Sequence, residues 1–113
     1  MNHSRWKTLR ERKLAEGFAE PDDVAEARQQ IALSMALARA VYERRTELAL
    51  TQTELAARAG LTQAKISRIE GSDTVPTLPL LAKLAKALDA SLNIALDDDD
   101  TQVTFTPHRT EAA

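Results

Sequence analysis

The sequence predicts a mainly α-helical fold that closes in a small β-hairpin or strand. Three observations carry this. A run from Pro21 to Leu50 holds neither glycine nor a further proline and repeats apolar residues every three or four positions. Two short capped segments meet at Gly60. After Asp89 the apolar period falls to two.

Taken in order, Ser4 can cap a short helix from Arg5 toward Glu16, with Gly17 as its stop. Arg5, Lys7, Arg10, Arg12 and Lys13 surround Trp6, Leu9 and Leu14 there. This stretch reads either as a solvated terminal helix or as a partner-binding arm. In the second reading Trp6, Leu9 and Arg10 are the candidate anchors, because tryptophan and arginine are favoured interface residues. A basic arm of this kind also suits DNA phosphates.

Pro21 suits the first turn of a second helix, with Asp22 and Asp23 complementing its positive end. Val24, Ala27, Ile31, Met35, Ala38, Val41 or Tyr42 and Leu48 give it an apolar stripe. A helix over 21–48 spans about 42 Å. Its N-terminal half projects from the domain, and its stripe needs cover from its own domain or another protomer. Met35 is expected in the core.

Thr51 and Glu54 have capping-box spacing. Leu55, Ala56 and Ala59 form a buried stripe, and Gly60 suits a left-handed stop. Thr62 can cap the next helix, whose buried side is Ile66 and Ile69. Ala56 is small where the two helices cross. This is a helix-turn-helix. Its second helix turns Gln63, Ala64, Lys65, Ser67 and Arg68 outward. Glutamine can pair with adenine, arginine or lysine with guanine, and alanine can meet a thymine methyl. Serine and threonine suit phosphate oxygens. Gln52, at a helix start, can meet a phosphate together with the backbone amides there.

Thr77 and Pro79 start a further helix, with Leu80, Leu81, Leu84, Ala87 and Leu88 inward. Leu92, Ile94 and Leu96, then Val103 and Phe105, alternate as strands around a turn at Asp97–Thr101. A lone hairpin is marginal in water, so its edge is a candidate for pairing with a second copy. The run Asp97–Asp100 reads as a solvated turn rather than a cation site.

The segment resembles the Xre family, the helix-turn-helix proteins related to phage Cro and repressor. The matching residues are Leu50-Thr51-Gln52, Glu54-Leu55-Ala56, Gly60, Ile66-Ser67-Arg68-Ile69-Glu70, Pro76-Thr77-Leu78 and Leu84-Ala85-Lys86-Ala87-Leu88, across about residues 36–90. The resemblance implies five helices around one core. It implies base contacts from Gln63, Ala64, Lys65 and Arg68, and phosphate contacts from Gln52, Thr62 and Ser67. It also implies an Arg45–Glu70 ion pair. Where the family usually has glycine two residues after the glutamate, this chain has Ser72, and Asp73 stands where basic residues are common. The flanks resemble antitoxins of the HigA type, DNA-binding partners of RelE-like toxins.

The expected organisation is an N-terminal extension or arm (1–30), a DNA-binding domain (31–90), C-terminal strands that are a candidate dimer contact (91–107) and a tail (108–113). The formal net charge of −2 argues against general polyanion binding. Its distribution favours the motif: residues 29–71 hold six basic and four acidic side chains, whereas 72–113 hold three and seven. Two motifs on a homodimer would grip a palindromic duplex better than one, since salt screens charge beyond about 10 Å. Cysteine is absent, and His3 and His108 have no spaced partners, so neither metal nor cofactor is expected. No convergent acid–base or nucleophile pattern points to an enzyme. No apolar run spans a bilayer and the start lacks a signal-peptide core, so a cytoplasmic protein is expected.

Overall fold

The computed structural model describes residues 21–97 and 100–108. The expected arm with Trp6, Leu9 and Arg10, together with Asp98, Asp99 and residues 109–113, lies outside them. Among the described residues there are four helices and one antiparallel hairpin: α1 Asp22–Glu47, α2 Gln52–Ala59, α3 Gln63–Glu70, α4 Leu78–Ala87, β1 Ala90–Ala95 and β2 Gln102–Pro107. No described helix is long and apolar enough to cross a membrane.

The expectation of five helices is therefore corrected to four. After α4 the chain turns at Asp89, in left-handed backbone with φ 50°, and enters a strand. The two-residue alternation of Leu92 and Ile94 cannot sustain a helical face. It gives the strand with one apolar side that this alternation predicts. The register pairs Leu92 with Phe105 and Ile94 with Val103, so these four share a face and pack on the core. The hairpin lies against α1 and α4, which supplies the apolar cover that an isolated hairpin lacks.

Local chemistry sets the helix ends. Thr51 Oγ1 accepts from the Glu54 amide at 3.0 Å, and the Glu54 carboxylate accepts from the Thr51 amide at 3.0 Å. That reciprocal pair satisfies two orphan donors at the start of α2. Hydrogen bonding from Thr51, its backbone amide first and its hydroxyl second, holds the Glu54 carboxyl below its ordinary pKa. Thr62 and Thr77 cap α3 and α4 in the same way, by accepting from the Lys65 and Leu80 amides. Gly60 ends α2 at φ 69°, a conformation that costs an L side chain about 1–2 kcal/mol.

Helix α1 is one uninterrupted rod of about 39 Å at 1.5 Å per residue. Its buried side chains, Ser34, Leu37, Ala38, Ala40, Val41 and Arg44, all lie in the C-terminal half. Residues 22–33 contribute none. Frequent alanines and the absence of glycine and proline let that stretch remain helical without packing. Met35, expected inside, is 59% exposed. The apolar stripe read from the sequence spans two adjacent helix faces, and tertiary packing turns the Leu37–Val41 face inward. Those residues join Leu55, Ala56, Ile66, Ile69, Leu84 and Leu88 in one core.

The exit from α3 takes the form that the Gly71-Ser72 order demands. Ser72, not Gly71, adopts left-handed backbone, at φ 63°. We expect Ser72→Gly to raise stability by about 1 kcal/mol by relieving that conformation. The melting midpoint should rise by about 4–8 °C for a domain of this size. A calorimetric scan checks it, and an unchanged or lower midpoint would show that the serine carries a compensating contact.

Candidate nucleic-acid interface

Helix α3 is held by Ile66 and Ile69, both fully buried, so its opposite side is fixed toward solvent. At 100° per residue, Gln63, Ser67, Ala64 and Arg68 cover an arc of about 140°. All four are exposed. Among the described residues the Arg68 guanidinium has no hydrogen-bond or ion-pair partner, so it is available to a ligand. Lys65 sits apart from this arc, half-buried at its edge, so the expected base-facing set divides into three central residues and one marginal residue. Thr62 Oγ1 is engaged with the Lys65 amide at 3.1 Å, which leaves its hydroxyl hydrogen for an outside acceptor.

A chain of polar contacts backs the arc. Arg45 from α1 meets Glu70 from α3 through two parallel bonds, Nε to Oε2 at 2.7 Å and Nη2 to Oε1 at 2.8 Å. The two side chains are only 12% and 6% exposed. Arg45 also donates to the Leu50 carbonyl at 2.8 Å and lies 5.3 Å from the Tyr42 ring centre. Hydrogen bonding to Glu70 is the main cause that holds the Arg45 pKa above its ordinary value, with partial burial opposing. Gln52 donates its amide to Glu70 Oε1 at 3.2 Å, and its oxygen accepts from the Gln63 amide at 2.7 Å. A carboxylate only accepts, so Glu70 dictates the orientation of the Gln52 amide. That orientation in turn presents an oxygen to Gln63. The first residue of the exposed arc is thus tied, through the Gln52 side chain, to the buried ion pair.

Sequence reasoning missed the other anchor of this region. Arg44 is 8% exposed and donates to the Leu88 carbonyl at 2.9 Å and the Asp89 carbonyl at 3.2 Å. Arg58 adds a bond to the Ala87 carbonyl at 3.3 Å. Two cations from α1 and α2 therefore satisfy the carbonyl end of α4, where positive charge is favoured. The only sequence signal was an arginine one turn after the buried Val41, on the same face. An open groove of about 600 Å³ runs beside the network, with Met35, Ala38 and Tyr42 on one wall and Gln52, Ser67 and Ser72 on the other.

Two anchored helices around a left-handed glycine, with a polar arc on the second, define a helix-turn-helix. Residues 41–94 match the HTH_3 helix-turn-helix family, and this part of the chain is a domain of that family. A structure of an HTH_3 family transcriptional regulator from Vibrio cholerae is similar at a TM-score of 0.54 and 26% identity, covering 55% of this chain and 35% of that one. A restriction-modification controller protein from Aeromonas hydrophila is similar at a TM-score of 0.50 and 31% identity, covering 51% of this chain and 88% of that one. The chain thus spans about a third of the Vibrio protein's length. No curated protein sequence matches the chain.

Proposed function

We propose that this protein is a homodimeric, sequence-specific DNA-binding repressor that autoregulates as the antitoxin of a RelE-like toxin. The observation that carries the DNA-binding part is the exposed arc of Gln63, Ala64, Ser67 and Arg68, whose guanidinium has no partner among the described residues, on a helix pinned by two isoleucines. Its width suits the major groove, with Lys65 at the groove edge and Gln52, Thr62 and Ser67 on flanking phosphates. The regulators among the similar structures support the same reading. Two copies would place their α3 helices in half-sites about 34–36 Å apart, one turn of duplex, or a multiple of it.

The antitoxin part rests on the sequence flank: a basic segment holding Trp6, Leu9 and Arg10 ahead of α1. It predicts that the product of an adjacent gene co-purifies with this chain and is neutralised by it. Neutralisation that survives removal of residues 1–30 would place the toxin contact elsewhere. A chain without such a neighbour would be a stand-alone regulator.

The DNA contacts separate into two kinds. Arg68→Ala should cost about 1–3 kcal/mol and relax base preference at one position. Gln52→Ala should weaken all sequences alike. Fluorescence anisotropy with a duplex selected from a random pool, and with its single-base variants, measures both. Unaltered selectivity in Arg68→Ala would remove that residue from base recognition.

A further inference from the structure

Helix α1 leaves four large apolar side chains in solvent: Val24, Ile31, Met35 and Tyr42, at 45%, 60%, 59% and 53% exposure. At 100° per residue all four lie within about 20° of a single line along the helix, about 27 Å long. Their intervals are seven, four and seven residues. That pattern reads the same from either end. Reversing the helix about its midpoint near residue 33 lays Val24 on Tyr42 and Ile31 on Met35.

We infer that this face pairs with the same face of a second copy, as an antiparallel α1–α1 contact with a two-fold axis beside residue 33. The inference rests on the homodimer reading and names the surface that makes it. A two-fold contact must be self-complementary, and a palindromic seam meets that condition. No foreign partner would require it. Arg28 lies beside the seam, and Ala38, its mirror position about residue 33, is buried in its own fold and adds no exposed side chain to the seam. The flanking positions Ala25, Ala27 and Ala32 are small and exposed, which permits close approach. Alongside, Arg39 is neutralised by Glu43 at 2.9 Å, so that edge of the seam carries no net charge from the pair. In this arrangement the start of the partner's α1 lies against Tyr42, at the mouth of the groove beside Gln52 and Ser67. A standard interface uses about 20–30 residues a side, and this seam uses fewer, so the dimer should dissociate on dilution.

The test uses the full chain, which has no native cysteine. Ile31→Cys and Met35→Cys are made separately, mixed and oxidised. The antiparallel register predicts a disulfide-linked dimer from the mixture and little from either variant alone. In the pair, residue 31 faces residue 35 of the second copy, and facing Cα atoms lie about 3–5 Å apart once two helix radii of about 2.3 Å are taken from an axis separation of about 8–10 Å. Residue 31 and its own copy are offset by a further distance of about 6 Å along the axis, which puts them at about 7–8 Å, at or past the roughly 7 Å Cα limit for a disulfide. Light scattering should show a concentration-dependent dimer that Ile31→Asp/Met35→Asp converts to a monomer with an unchanged circular dichroism spectrum and melting midpoint. A wild-type dimer that survives the double substitution, or links only like with like, overturns the inference and leaves the homodimer reading standing. A wild-type chain that is monomeric at every concentration overturns both.

Discussion

Replacing Glu70 with alanine should destabilise the domain by about 3 kcal/mol and weaken every DNA complex it forms. Glu70 and Arg45 are nearly buried partners joined by two short bonds. Removing one member of such a pair typically costs about 3–5 kcal/mol, because the other is left charged and poorly solvated. Arg45 keeps the Leu50 carbonyl and the Tyr42 ring, which places the expected loss at the low end. The melting midpoint should fall by about 12 °C or more. Urea unfolding checks the free energy directly. A paired control decides what the loss means. Arg45→Met/Glu70→Leu removes both charges at similar volume, and such replacements are often neutral or stabilising. If the double variant regains most of the stability, the cost in Glu70→Ala is that of an abandoned charge. If it is as unstable as the single variant, the pair itself contributes net stability.

The same substitution reaches the exposed arc. Without Glu70, nothing among the described residues fixes which end of the Gln52 amide faces Gln63. Operator affinity measured well below the melting midpoint should fall roughly fivefold, the worth of one hydrogen bond of about 1 kcal/mol. Restored affinity in Glu70→Gln, whose amide oxygen can still accept from Gln52, would locate the effect in orientation rather than charge. Unchanged affinity in Glu70→Ala would uncouple the ion pair from the reading face.

What the sequence disclosed follows from the range of each interaction. The Thr51–Glu54 box, the Thr62 and Thr77 caps and the stop at Gly60 act within three or four residues, so spacing alone reveals them. The hairpin register follows from the period-two alternation on both sides of one turn. Met35 could not be placed this way. Apolar residues on α1 occupy two adjacent faces, and only the packed partners determine which one is inside. Ser72 was visible as a departure from a glycine pattern, but not the left-handed backbone that it adopts. Arg44 was hidden most completely. Its acceptors lie 44 and 45 residues away in sequence and are backbone carbonyls, which carry no residue signature. Composition also argues against it, since arginine is almost never buried without partners.

Arg44 accordingly carries the second large prediction: Arg44→Ala should cost about 3 kcal/mol. The side chain joins three elements at one point. Its Nε and Nη2 satisfy carbonyls just past α4, and Nη1 meets Glu47 at 2.8 Å. The Glu47 pair is largely exposed on the carboxylate side and adds little. The carbonyls matter more, because a buried acceptor left without its donor costs about 1–3 kcal/mol. Truncation also removes the aliphatic stem from the core beside Val41. Arg44→Met separates the two effects, because it keeps the stem and deletes the donors. Urea unfolding should rank wild type above methionine, and methionine above alanine. Arg44→Lys should fall near methionine, since an ammonium point charge cannot reproduce the fork that reaches both carbonyls. The loss should also be local as well as global. The Asp89 carbonyl accepts from the His108 amide at 3.0 Å, so this one turn ties α4 to both ends of the hairpin. Hydrogen exchange at the Ala90–Ala95 and Gln102–Pro107 amides should quicken more than exchange in α3. A methionine variant as stable as wild type, with unaltered hairpin exchange, would show that packing rather than hydrogen bonding holds this joint.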